Sequence, residues 1–509
     1  MPLRALVLLL LAFILPAPAT AQNAAGPPVG SFKLVLDPAL QTTPYSGRVY
    51  IALGKDGRGE PRTQMGNWFS PIQILAIDVT NIAPGSPISV GPTALSFPKA
   101  FKDIPAGAYS AQAVARRSLE SSTPGQGDGD LYSAPLSITF DPAAPAAADL
   151  KLDKPVTPRP FKETDRVKLV EIDSPLLSKF YGRPVKTRAG VILPKAYKDD
   201  PAQSYPTLYF IGGFGSDHRS AQGMARMLEN GAPDNLLVVI PDPSSYLGHT
   251  VFADSANNGP RGQSLIQELI PAVESRFHGA RSGERRFVSG ISSGGWSSLW
   301  LQITYPDQFA GVWSHCPDPV DFRDFQRINL YAPGANMYRD QTGARRPLAR
   351  GGSEDKPLLW YDDFVGQETV MGPGGQIHAF EGVFSPRGAD GLPVPLFDRA
   401  TGAVNPATAK AWEPYDIRLV VERNWPTLGP KLKGKIHLYA GAKDTFYLEG
   451  AAQLLKESLE KLGSDAQVVI VPDMAHAVHQ PGIQAMFKAI AAAAPPTPPA
   501  PTSTPAPDK

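Results

Sequence analysis

Cysteine is almost absent from this chain: Cys316 is the only one in 509 residues. A single thiol cannot close an internal disulfide, so the fold must rest on apolar cores, which a chain of this length can build. An excess of one charge is missing too. The chain carries 49 Lys and Arg against 48 Asp and Glu, a formal net charge of +1. With that balance no large excess of one sign argues for nucleic acid or an anionic membrane as partner. Histidine is scarce, with eight in all and none between Ser31 and Lys154. Nor is there an HExxH, a pair of CxxC motifs or a carboxylate cluster, so no metal and no cofactor is expected.

A membrane-spanning stretch is lacking as well. The apolar run Leu6–Leu15 has ten residues, where a spanning helix needs about 20. Arg4 precedes this run and Ala19-Thr20-Ala21 follows it as a small-x-small site. That order is expected of a secretory signal peptide over residues 1–21, removed on export to the periplasm or the outside. After cleavage no integral membrane segment is expected.

Two composition regimes follow. Residues 31–154 hold short runs with partial period-two alternation, among them SFKLVLD, GRVYIALG, QILAIDV and PLSITF, parted by Gly, Pro, Asp and Ser. This spacing predicts an all-β sandwich of the immunoglobulin-like kind. It reads as a structural or targeting module, with the rim of an active site as the sharper alternative. PVTPRP lies in a stiff linker over residues 155–163. From residue 164 to 493 apolar strands (PTLYFIGG, LLVVIPDP, RRFVSGIS, AGVWSHCP, KIHLYAGA, AQVVIVPD) alternate with helical stretches. That grammar predicts a mostly parallel sheet covered on both faces, an α/β-hydrolase fold. An insertion of weak periodicity, about residues 318–434, is expected to cap the site with aromatics such as Tyr331, Tyr338, Tyr361, Phe364 and Trp412. The Pro-rich tail 494–509 is expected to be disordered.

Gly290-Ile291-Ser292-Ser293-Gly294 is a G-x-S-x-G sequence between a strand and a helix. In such an elbow the serine is exposed at the tip of a sharp turn. Ser292 is therefore the expected nucleophile. A serine needs a base, and this fold's chain order is Ser, acid, His. Asp444 follows the strand KIHLYAG and His476 follows the last strand. Both are expected at the same sheet edge, with His476 Nε2 within reach of the Ser292 hydroxyl and Asp444 on the other nitrogen. His479 is the rival base, and Asp318 and Asp321 are rival acids. The Ser293 and Phe214 N–H groups are the expected oxyanion donors, Phe214 lying in Gly212-Gly213-Phe214-Gly215. Cys316 reads as a small buried apolar residue.

The stretch from about Val167 to Ile490 resembles the putative-esterase family of α/β-hydrolases, which includes esterase D, feruloyl esterases, enterochelin esterases and mycolyl transferases. The residues that carry the resemblance are YFIGGFG, SGISSGGW, AGVWSHCPDPVDF, AGAKDTFYL and VPDMAHAVH. It implies that Ser292, Asp444 and His476 occupy the family's triad positions. Two departures stand out: Gly212-Gly213 replaces the family's frequent His-Gly, and the insertion is long. The implied activity is hydrolysis of a carboxylic ester, on a small molecule or a polymer. An acyltransferase, a serine peptidase and a non-catalytic binding protein of the same fold stand as alternatives. Oligomeric state leaves no mark in the sequence.

Overall fold

The computed structural model describes residues 27–493 except 56–58, 158, 230 and 352–355. The leader-like segment 1–21 and the tail 494–509 lie outside the described residues.

The first part is a β-sandwich. In one layer Val29–Leu36 pairs antiparallel with Pro87–Val90 and parallel with Ala146–Leu152. The other layer runs Leu136–Phe140, Gly107–Ala115, Tyr45–Gly54, Gln73–Ile82, Leu95–Phe97, all antiparallel. The layers join where Val29 pairs with Phe140. Alternate residues meet between them: Phe32, Leu34 and Leu36 share a core with Val49, Ile51 and Leu53. The other face of Tyr45–Gly54 is not left to water. Tyr50 and Ala52 pack with Ile74, Ala76 and Val114 against Val370 and Met371 of the insertion. Burial on both faces is why this strand ends in an apolar run rather than a clean alternation. The expected linker starts inside the sandwich, since Lys154–Pro155 still pairs with Leu131–Tyr132.

The second part is an eight-stranded sheet. Its spatial order is Val167–Asp173, Lys186–Ile192, Leu237–Pro241, Thr207–Ile211, Arg286–Ile291, Gly311–His315, Ile436–Gly441, Gln467–Val471. The first two pairings are antiparallel and the rest parallel. Neighbouring residues in the central strands go to opposite cores. Tyr209, Val239, Val288 and Val312 meet Trp296, Leu299 and Leu269 on one side. Leu208, Val238, Phe287 and Trp313 meet Met486, Phe487 and Ala221 on the other. Two covered faces make these strands apolar throughout, as the α/β-hydrolase reading requires.

The insertion contains helices that periodicity did not mark. Tyr361–Met371 and Gln376–Phe384 bury residues all round. Wedged between the sandwich and the main core, they keep little wet surface, Asp363 being exposed in the first, and the helical repeat of polar residues is weak. Among the described residues no helix is long and apolar enough to cross a membrane.

Candidate active site

Strand Arg286–Ile291 ends at the turn to helix Ser293–Thr304. Ser292 sits on that turn at φ 59° and ψ −126°, a conformation an L-residue adopts only when its surroundings impose it. The imposition comes from close backbone packing. A Cβ at Gly290 would overlap the Gly294 carbonyl, and one at Gly294 would overlap the carbonyls of Ile211 and Gly212. Both flanking glycines are thus required for the turn to press against the neighbouring strand. Ser292 N–H donates to the His315 carbonyl at 3.0 Å, so the turn is also held from the neighbouring strand.

Strand Ile436–Gly441 delivers Asp444 and strand Gln467–Val471 delivers His476. His476 Nδ1 lies 2.8 Å from Asp444 Oδ2. The other Asp444 oxygen accepts the Phe446 N–H at 2.8 Å, which fixes the carboxylate's plane. Asp444 is fully buried. Burial alone would lower the His476 pKa, but the hydrogen bond to Asp444, with that carboxylate's charge, and the contact with Cys316 overcome it and push the imidazole up to about 10. Cys316 is buried, and its thiol donates to the Ala477 carbonyl at 3.4 Å. It therefore packs under the histidine loop. Cys316, Asp444 and His476 could be read as a metal-ligand cluster, yet Asp444 is already engaged by the histidine and a backbone amide.

The rivals go elsewhere. His479 stacks on Tyr439 at 4.9 Å and its amide donates to His315 Nδ1. Asp321 pairs with Arg323 and Arg418. Asp318 has a different place, and the expected serine contact differs with it. The Ser292 hydroxyl makes its hydrogen bond to Asp318 Oδ1, at 3.4 Å, and not to His476. Asp318 Oδ2 accepts from the Ser293 hydroxyl at 2.6 Å and from Gln376 Nε2 at 3.2 Å. Burial raises the Asp318 carboxyl to about 6 against the lowering effect of these donors and of His476. A carboxylate thus holds the serine hydroxyl while sharing one cavity with the sequence-derived base His476. Sequence order offered Asp318 only as a rival acid, because nothing in its spacing tells that it will meet the serine.

The loop after Thr207–Ile211 faces the serine. A Cβ on Gly213 would lie 3.1 Å from the Ser292 Cβ, so the backbone passes directly beside it. His249 Nε2 lies 3.1 Å from the Gly212 carbonyl, while its Nδ1 accepts the Val251 N–H. Burial holds this imidazole down at about 4, so it is neutral, with the proton on Nε2 donated to Gly212. The amides of Phe214 and Ser293 have no acceptor among the described residues, as oxyanion donors require.

Ser292, Asp318 and His476 open into one cavity of about 280 Å³. Its other walls, mostly apolar but with Gln326 and Gln376 among them, come from the main sheet's loops and from the insertion, including Phe364, Ile377 and Phe380. One wall comes from the sandwich: Trp68 stacks on Phe214 at 5.6 Å and meets Phe364 edge-on at 5.0 Å. Sequence reasoning missed Trp68, Gln376 and His249, since each acts through a contact remote in the chain.

A family model described as putative esterase matches residues 182–469, more than half of the chain. An esterase of Mycobacterium tuberculosis is 31% identical over 158 residues, which is 30% of this chain and 34% of that protein. An acetyl esterase of Caldicellulosiruptor saccharolyticus is 27% identical over 143 residues, 26% of this chain and 52% of that protein. The aligned part of the chain thus spans about a third to a half of the length of these curated relatives. An S-formylglutathione hydrolase structure from Agrobacterium tumefaciens aligns with a TM-score of 0.37 at 15% identity, over 64% of this chain and 95% of that one. With the family match covering the sheet from its second strand to its last, the chain belongs to the putative esterase family.

Proposed function

We propose that the protein is an exported serine esterase that cleaves a carboxylic ester through an acyl-enzyme on Ser292. The observation that carries the reading is the turn at Ser292, held at φ 59° beside the Asp444–His476 pair in one cavity. Family membership supports the reaction class. The leader-like start supports export to the periplasm or the outside.

In this mechanism a rotation about Cα–Cβ brings the Ser292 hydroxyl from Asp318 to neutral His476. Serine oxygen attacks the ester carbonyl as His476 Nε2 takes its proton. The Phe214 and Ser293 amides bind the oxyanion. The tetrahedral adduct collapses, the C–O bond to the alcohol breaks, and the alcohol leaves with the proton from His476. Water then attacks the acyl-enzyme, again giving a proton to His476, and the acid departs as Ser292 recovers its own. Asp444 holds the ring's orientation and stabilises the imidazolium. No metal or cofactor is called on. The apolar walls suit a hydrophobic acyl group. The wild-type protein should turn over p-nitrophenyl acetate, and Ser292→Ala should lower kcat by a factor on the order of 10⁶. A variant that kept its rate would overturn the reading.

A further inference from the structure

The Ser292 cavity carries an unbalanced charge. Two ionisable side chains line it, Asp318 and His476, and no Lys or Arg does. Asp318 is 6% exposed and makes no ion pair with Lys or Arg among the described residues. Its donors are two hydroxyls and one side-chain amide, all neutral. A buried carboxylate without a cation is costly.

Ester cleavage removes one of these donors. Asp318 Oδ2 accepts from Ser293 and Gln376, whereas Oδ1 accepts from the Ser292 hydroxyl alone. Once that hydroxyl turns to His476 and Ser292 Oγ bonds to the acyl carbon, the oxygen has no proton to give. Oδ1 then has no donor. A second acceptor stands next to it. Gln376 Nε2 is spent on Ser293 Oγ and Asp318 Oδ2, both at 3.2 Å, while Gln376 Oε1 accepts from no described residue. The Gln376 side chain is half-buried and lines the same cavity. Two acceptors, one of them charged, suit a cation with several N–H groups.

Distance tells where on the substrate that cation belongs. Asp318 Oδ1 lies 3.4 Å from Ser292 Oγ, the atom that bonds to the acyl carbon. A nitrogen on the α-carbon is two bonds from the acyl carbon, about 2.5 Å. It therefore falls in the same shell around Oγ as the carboxylate, and each further CH2 carries it away by up to about 1.5 Å. We infer that the ester cleaved is that of an α-amino acid, with its free ammonium held by Asp318 and Gln376 and its side chain against Phe364, Ile377 and Phe380. This rests on the acyl-enzyme proposed above and names the acyl group it takes. The ammonium is held and does not react; the bonds made and broken are those of ester cleavage. An acyl group with its own carboxylate would meet Asp318 as a like charge.

The test compares kcat/KM for three p-nitrophenyl esters, L-leucinate, N-acetyl-L-leucinate and isocaproate, with spontaneous hydrolysis subtracted. At neutral pH an α-amino group is mostly protonated, and Asp318, raised to about 6, is ionised. The N-acetyl ester keeps the nitrogen and loses its charge; isocaproate lacks the nitrogen. Leucinate should exceed both by at least about tenfold, the size of one charged hydrogen bond. In Asp318→Asn the ratio of leucinate to isocaproate should fall about tenfold, whatever the variant does to both rates together. Equal turnover of the three esters, a preference shared by the N-acetyl ester, or an unchanged ratio in folded Asp318→Asn would overturn the inference. Should that variant not fold, the wild-type order of the three esters decides it. Turnover of isocaproate without preference for leucinate sinks this inference and leaves the ester reading standing. No turnover of these esters or of p-nitrophenyl acetate sinks both.

Discussion

At the serine two acidic groups act, Asp318 on the hydroxyl and Asp444 through His476. Asp444 raises the His476 pKa, and a base that must be neutral to work is protonated until the pH rises through that value. Activity should therefore climb with pH, along a limb whose midpoint lies above the ordinary 6.5 of an imidazole. Asp318 faces His476 as a second anion, and an anion stabilises the imidazolium. Asp318→Asn removes the charge and keeps an oxygen for Ser293. In this variant the midpoint should move to lower pH, read from kcat/KM against pH. An unmoved midpoint would show that Asp318 only packs beneath the elbow. The elbow itself was legible in the sequence because close approach of its backbone demands glycine at fixed offsets. Asp318's contact with the serine was not, because an aspartate after a strand carries no sign of which loop it will meet.

Helices of the insertion divide between holding the fold and shaping the cavity. Trp412 is fully buried in a cluster with Phe322, Phe325 and Phe384, its indole N–H donating to Ser385 at 2.9 Å. Phe364 lines the cavity with Trp68 edge-on against it. Their loss should differ in kind. Trp412→Ala should cost about 3–5 kcal/mol of stability in denaturant unfolding. Phe364→Ala should chiefly alter the ratio of kcat/KM between acetyl and longer acyl esters. If both variants merely lost stability, the helix Tyr361–Met371 would be scaffold and not a specificity wall. The aromatics of this segment were visible in the sequence as a group. Their division was not: Tyr361 and Trp412 are core, and only Phe364 of the aromatics named there lines the cavity. Burial on nearly all sides had also weakened the polar repeat that marks a helix in sequence.

Across the whole molecule one of the joins between the sandwich and the hydrolase part is made at the end of a helix. Arg48 donates to the carbonyls of Thr369 and Val370 at 2.7 and 3.1 Å, and Tyr50 to that of Met371 at 2.7 Å. These are carbonyls a helix C-terminus leaves unpaired, so the sandwich caps Tyr361–Met371 and favours its dipole with a cation. Gln367 in turn holds the Asn67 carbonyl at 3.0 Å, beside Trp68. The parallel sheet and the sandwich were each legible from local patterns, apolar runs in one and alternation in the other. Their union was not, since it depends on side chains far apart in the chain. Trp68→Ala should reduce kcat/KM for a bulky acyl ester about tenfold while acetate turnover stays near wild type. Equal loss on both substrates would place Trp68 in oxyanion-loop support and not in acyl recognition. All of these effects presuppose a covalent intermediate on one serine. The most direct measurement is mass-spectrometric peptide mapping of the protein after reaction with a fluorophosphonate. The adduct should lie on Ser292 alone, and Ser292→Ala should remain unlabelled. An adduct on Ser293 or another residue, or a folded wild-type protein that does not react, would contradict the account.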